Sequence, residues 1–231
     1  MNIRMIEADG AAHELISEDG DAARPGVLLF PTVMGITDLE RGFARRLAEQ
    51  GYAVLLADLY GRRFAPAERD EAMAAMGALR RDRAALRDQL LGVLGVAIEQ
   101  DEFDDERLAA IGFCFGGQNA LDLARSGADI AGVASFHGLF DPPGLPAGPI
   151  KAKVAAYHGW DDPLVTPDAV VALAAELSMA GADWQIHAFG HVGHGFTNPA
   201  ATGAMPGIKY DERTARRAWG ACDAFLAECF A

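Results

Sequence analysis

The sequence predicts an α/β fold, a mostly parallel central sheet with helices on both faces. Three observations carry this. Short apolar runs, each the length of one buried strand, alternate with helical stretches along the chain. Runs that are apolar throughout, rather than at every second residue, fit strands covered on both sides, as in a parallel sheet between helix layers. The chain has 231 residues, 51% of them hydrophobic and 23% charged, enough for one sizeable core, so residues 1–231 are read as one domain.

The elements follow in order. Residues 27–30 (Val-Leu-Leu-Phe), behind Pro25-Gly26, form the first core strand. Leu39, Phe43 and Leu47 then recur at helical spacing up to Gln50, and Gly51 ends that helix. Residues 53–57 make the next strand, which is left through Asp58-Leu59-Tyr60-Gly61. Residues 62–76 are polar and show no clear period. One long helix is expected beyond them, with Leu79, Leu86, Leu90, Val93 and Ala97 along one face. Residues 101–106 read as an acidic turn, 108–112 as a strand, and 120–124 as part of the helix after it. Strands at 130–136 and 154–158 are separated by a loop at 141–149 rich in Pro and Gly. A helix at 170–179, a strand at 184–189, a Pro/Gly-rich loop at 197–207 and a helix at 211–230 close the chain.

Charge and cysteines narrow the function. With 20 Lys and Arg against 33 Asp and Glu, the net charge is −13. So acidic a surface repels phosphate backbones and anionic lipid, so neither nucleic acid nor a membrane is an expected partner. The three cysteines, Cys114, Cys222 and Cys229, make no disulfide framework. Cys222 and Cys229 share a helix face and read as small buried hydrophobes. The first ten residues lack the apolar core of a signal peptide, and residues 90–98 are too short to cross a bilayer, so a reducing cytoplasm is the expected location.

The chemistry centres on Gly112-Phe113-Cys114-Phe115-Gly116-Gly117. A nucleophile between glycines at minus two and plus two marks a sharp turn from strand to helix, in which side chains at those two places would collide. The amides at the start of the helix then point at Cys114 and favour its thiolate. In such folds the chain order is nucleophile, acid, histidine. After Cys114 an acid is offered at the end of strand 154–158, where Asp161 and Asp162 stand side by side. A histidine is offered after strand 184–189, in Gly190-His191-Val192-Gly193-His194-Gly195-Phe196. The glycines beside His194 suit a loop that brings a ring close to the turn, with His191 as its rival. His13 and His187 fall in the wrong places, and His137, at the end of a strand, is a candidate for the pocket wall. No ligand cluster completes a metal site around His191 and His194, so no metal and no cofactor is expected.

These pieces, together with Pro31-Thr32-Val33-Met34-Gly35, Gln50-Gly51-Tyr52, Asp58-Leu59-Tyr60 and Gly159 through Asp162, resemble the dienelactone hydrolase family. The likeness runs from about Val27 to the last helix. It implies the α/β-hydrolase fold and a triad of Cys114, Asp162 and His194, with Asp162 taken over Asp161. It also implies an oxyanion hole at the backbone amides of Val33 and Phe115. Two places depart from the family pattern. The founding enzymes carry a glutamate, which pairs with the resting cysteine, where this chain has Thr32, and a substrate-binding arginine where it has Asn198. A further binding arginine is expected between residues 62 and 81.

The function that follows is hydrolysis of a small carboxylic ester or lactone through an acyl-enzyme, without dienelactone itself as the implied substrate. Apolar walls are expected from Met34, Ile36, Tyr60, Phe113, Phe115, Trp160 and Phe196, with Thr32 and Asn198 at the pocket, so a hydrophobic or aryl ester fits best. The competing reading is a non-enzymatic or redox-sensing protein with a reactive Cys114. An ordered acid and histidine weigh against it, since a sensor needs neither.

Overall fold

The structure, a computed structural model, describes all residues except 21, 62–65, 67 and 147. Its centre is an eight-stranded sheet in the order β1-β2-β4-β3-β5-β6-β7-β8. The strands are β1 (Asn2–Ala8), β2 (Ala11–Ser17), β3 (Arg24–Phe30), β4 (Ala53–Leu56), β5 (Phe103–Phe113), β6 (Gly132–Phe136), β7 (Lys153–Gly159) and β8 (Trp184–Phe189). From β4 through β8 every pairing is parallel, while β1 and β2 form an antiparallel hairpin joined antiparallel to β4.

Strand alternation splits the core in two. Leu28 and Phe30 of β3 pack in one layer with α3 (Arg83–Ile98), α4 (Phe115–Arg125) and α5 (Pro167–Met179). Val27 and Leu29 pack in the other with α1 (Asp38–Ala48) and α6 (Glu212–Cys229). Both layers exclude water, which is why these strands read as unbroken apolar runs. With helices on both faces of a mostly parallel sheet, this is the α/β-hydrolase fold. Among the described residues no helix is long and apolar enough to cross a membrane.

Three features differ from the sequence expectation. The hairpin β1–β2 precedes the first strand that the sequence predicts, residues 27–30. Its turn is Asp9-Gly10, both at positive φ (49° and 80°), the backbone a tight two-residue hairpin requires. The expected long helix is two, α2 (Arg69–Arg81) and α3, because Asp82 leaves helical geometry and caps α3 by accepting from the Ala85 amide at 2.9 Å. The acidic stretch before Leu108 is not a free turn. β5 starts at Phe103, and a register shift opposite Pro25 and Gly26 lets Asp105, Glu106 and Arg107 bulge outward, while Asp104 stays paired with Pro25 and Phe103 stays buried.

Candidate active site

Cys114 directly follows β5 and stands at the N-cap of α4, with φ 55° and ψ −114°. This is a backbone region that side chains other than glycine rarely occupy. The neighbouring glycines make it possible. A Cβ on Gly112 would run into the Gly116 carbonyl, and one on Gly116 into the Phe30 and Pro31 carbonyls. On Gly117 it would come within 2.7 Å of the Gly138 Cα. The Cys114 amide is tied to the Phe136 carbonyl at 3.0 Å, so the turn hangs on β6.

The acid arrives on the adjacent strand end. After β7 the chain turns through Gly159, whose missing side chain leaves room for the Val192 and Gly193 carbonyls. The two aspartates then part. Asp162 is buried, accepts from the Leu164 amide at 2.8 Å through Oδ1, and receives Nδ1 of His194 at 2.7 Å on Oδ2. Asp161 is exposed, and its Oδ2 lies 3.8 Å from Nδ1 of the fully exposed His191. The loop carrying His194 is itself braced, with the His194 amide on the Gly207 carbonyl at 2.7 Å and the His194 carbonyl accepting from Lys209 at 3.1 Å.

Nε2 of His194 is buried without an oxygen or nitrogen partner, and the group it faces is the Cys114 thiol. Burial works against charge on both. It is outweighed by their mutual attraction, and on the histidine by the hydrogen bond to Asp162, so His194 is pushed up and Cys114 held below its ordinary value. The Phe115 and Val33 amides favour the charged sulfur as well and add to the depression of the thiol. The fold therefore brings Cys114, His194, Asp162 and the two amides to one point.

The other expected residues divide. Met34 and Tyr60 pack half-buried over the layer containing Phe115, whose ring stacks on Tyr60 at 6.2 Å, and Tyr60 is coupled electrically to Cys114. Ile36 is half-buried on the α1 side, Trp160 is 40% exposed beside the acid turn, and Phe196 is fully buried beneath His137. Phe113 is not on an open wall. Alternation along β5 sends it into the opposite layer, where it stacks on Phe43 at 4.3 Å and on Phe136 at 4.8 Å. The Asn198 side-chain oxygen accepts from Ala200 and so belongs to its own loop. Thr32 gives its hydroxyl to Glu40 at 2.7 Å. Of the arginines expected near the substrate, Arg62 and Arg63 lie outside the described residues, and Arg80 is paired with Asp141.

Two residues escaped the sequence reading in whole or part. His137 is at positive φ, joins Thr197 Oγ1 through Nε2 at 2.8 Å and sets its ring edge-on to His194 at 5.0 Å. Burial holds it neutral, well below the usual histidine range. Glu40 is fully buried behind Thr32; its only sequence signal is the Thr37-x-x-Glu40 capping box. A separate apolar cavity of about 930 Å³, lined by Phe140, Leu145, Ile150, Leu173 and Met179, includes none of Cys114, Asp162 and His194.

Comparison with known proteins agrees with this architecture. The model of the dienelactone hydrolase family matches residues 14–230, and the chain belongs to that family of hydrolases. The solved structure of m3DLH is 38% identical, with a TM-score of 0.91 over 100% of this chain and 99% of that one. A dienelactone hydrolase-like promiscuous phosphotriesterase from metagenomic libraries is 35% identical, with a TM-score of 0.92 over 100% and 99%. An uncharacterised protein of Caenorhabditis elegans is 36% identical over 132 residues, 55% of this chain and 84% of that protein.

Proposed function

We propose that the protein hydrolyses small, uncharged carboxylic esters or lactones through a thioester on Cys114. The observation that carries this is the meeting of one sulfur with an aspartate-anchored imidazole and two backbone amides. A group that only needed to be oxidised would require none of the three.

In the proposed cycle the Cys114 thiolate attacks the carbonyl carbon. The carbonyl oxygen becomes an oxyanion that accepts from the Val33 and Phe115 amides, donors of a kind worth about 3–4 kcal/mol each when one is removed. The carbon–oxygen bond to the alcohol breaks, and the departing alkoxide takes the Nε2 proton of His194. A water then gives a proton to Nε2 as its oxygen attacks the thioester. The carbon–sulfur bond breaks, the acid leaves, and thiolate and imidazolium are restored. Asp162 holds the ring so that Nε2 faces sulfur throughout.

The test is turnover of p-nitrophenyl acetate, with mass spectrometry of the trapped enzyme. Wild type is expected to carry one acyl group on the Cys114 peptide, and Cys114→Ala to be folded and inactive. Full activity in that variant sinks the proposal.

The same machinery suits a second class of neutral substrate, supported by the name of the metagenomic relative. A phosphotriester presents a P=O oxygen that the two amides could hold. Turnover of an aryl phosphotriester, lost in Cys114→Ala, is the corresponding check.

A further inference from the structure

We infer that Glu40 is a positioning residue for the Val33 amide, the half of the oxyanion hole that lies in a loop. The inference rests on the function proposed above. The other donor, Phe115, is the first residue of α4 and is held by that helix. Val33 has no such frame. It sits between β3 and α1, and its N–H must stay free of the loop's own carbonyls to face Cys114. An amide kept unpaired for a ligand needs its neighbours fixed instead.

Glu40 fixes them. Its Oε1 accepts from the Thr32 amide at 3.2 Å and from the Thr32 hydroxyl at 2.7 Å. Its Oε2 accepts from the Thr37 amide at 3.1 Å and from the Thr37 hydroxyl. One buried carboxylate thus spans both ends of the loop. The bonds to Thr37 are the ordinary helix cap. Those to Thr32 are not required by any cap, because Thr32 precedes the helix by several residues and directly precedes Val33. The remaining side of the Val33 peptide is also held: its carbonyl accepts from the Tyr60 hydroxyl at 3.1 Å. Among the described residues no arginine or lysine forms an ion pair with Glu40, so the carboxylate's partners are these loop donors.

The experiment compares Glu40→Gln and Thr37→Ala with wild type. Both damage the cap, but only Glu40→Gln loosens Thr32. In Glu40→Gln, kcat for p-nitrophenyl acetate is expected to fall about tenfold or more with KM little changed, since the amide acts on charge that appears after binding. Thr37→Ala is expected to match it in lost thermal stability while keeping kcat within about threefold. A second readout does not depend on turnover, namely the pH at which iodoacetamide alkylation of Cys114 inflects. Loss of the Val33 hydrogen bond to the thiolate moves that inflection up in Glu40→Gln, whereas simple removal of a nearby negative charge would move it down. An inflection that stays put or falls in folded Glu40→Gln overturns the inference, as does a kcat loss equal in both variants. Should wild type hydrolyse no ester, the proposed function fails, and the alkylation shift still decides the role of Glu40.

Discussion

Cys114 occupies a backbone conformation that costs about 1–3 kcal/mol in any chain, so the strain must be held by what surrounds it. What it obtains is a sulfur aimed out of the sheet at His194 and at two amides. Burial alone would favour the neutral thiol. Here the attraction to His194 wins, so the thiol titrates early and the imidazole late. Alkylation of the free enzyme should therefore inflect below the value of about 8.5 for an ordinary thiol and should proceed at neutral pH without substrate. The sign is that of a depressed acid: reactivity is full above the folded value and is lost as pH falls through it. Slow alkylation at pH 7 with an ordinary inflection would show that no resting ion pair forms. Thr32 bears on the same point, because its hydroxyl is spent on Glu40 and offers no competing anion at the sulfur. The adjacent aspartates give a second residue-scale prediction. Asp162→Asn should lower kcat by about 10³-fold or more, and Asp161→Asn by less than about tenfold. The reason is position alone, since Asp162 meets His194 inside and Asp161 meets His191 in solvent.

At the scale of elements, the site is assembled where strand ends meet helix starts, and close approach is what the glycines provide. Gly112→Ala places a methyl group against the Gly116 carbonyl, where no flexible side chain can yield. It should cost about 3 kcal/mol or more, a fall in Tm of roughly 6–12 °C for a chain of this length. Gly92 is the contrast. It lies within α3 with nothing near its missing Cβ, so Gly92→Ala should stabilise by about 0.5–1 kcal/mol through helix propensity. Thermal melts of the two variants check both signs. If Gly112→Ala melted with wild type, the tight crossing of β5 and α4 would be wrong. Behind the turn, α4 is locked by charge as well as packing, with Asp122 between Arg83 and Arg125, and Arg125 reaching Glu176 of α5 at 2.7 Å.

Over the whole molecule the net charge of −13 raises the cost of bringing an anion to the surface. Near the site, Asn198 turns its oxygen into its own loop and the flanking rings of Tyr60, Phe115 and Trp160 are largely apolar. A neutral aryl ester should therefore show a higher kcat/KM than the same ester bearing a carboxylate. The margin should narrow with added salt, which screens the long-range part. Matched substrate pairs measured at two ionic strengths test this. A preference for the anion would mean that an arginine reaches the substrate.

The parallel core and the glycine pattern of the turn at Cys114 follow from short-range rules and so are written in the chain. A strand covered on both faces must be apolar throughout, as residues 27–30 and 53–56 are, and a residue held on a sharp strand-to-helix turn needs glycines at fixed offsets, as Cys114 has. The hairpin before β3 also has a short-range signal, the Asp9-Gly10 dipeptide of its turn. Tertiary structure decided what depends on direction rather than spacing. Neighbouring residues point apart on a turn, so only the packed fold sends Asp162 inward and Asp161 outward. Alternation puts Phe113 in the core although it touches Cys114 in sequence. The bond from Thr32 to Glu40 has no trace in the spacing of the chain; the folded loop lays Thr32 against the carboxylate, since a buried carboxylate takes every donor within reach, and reach is set by the fold.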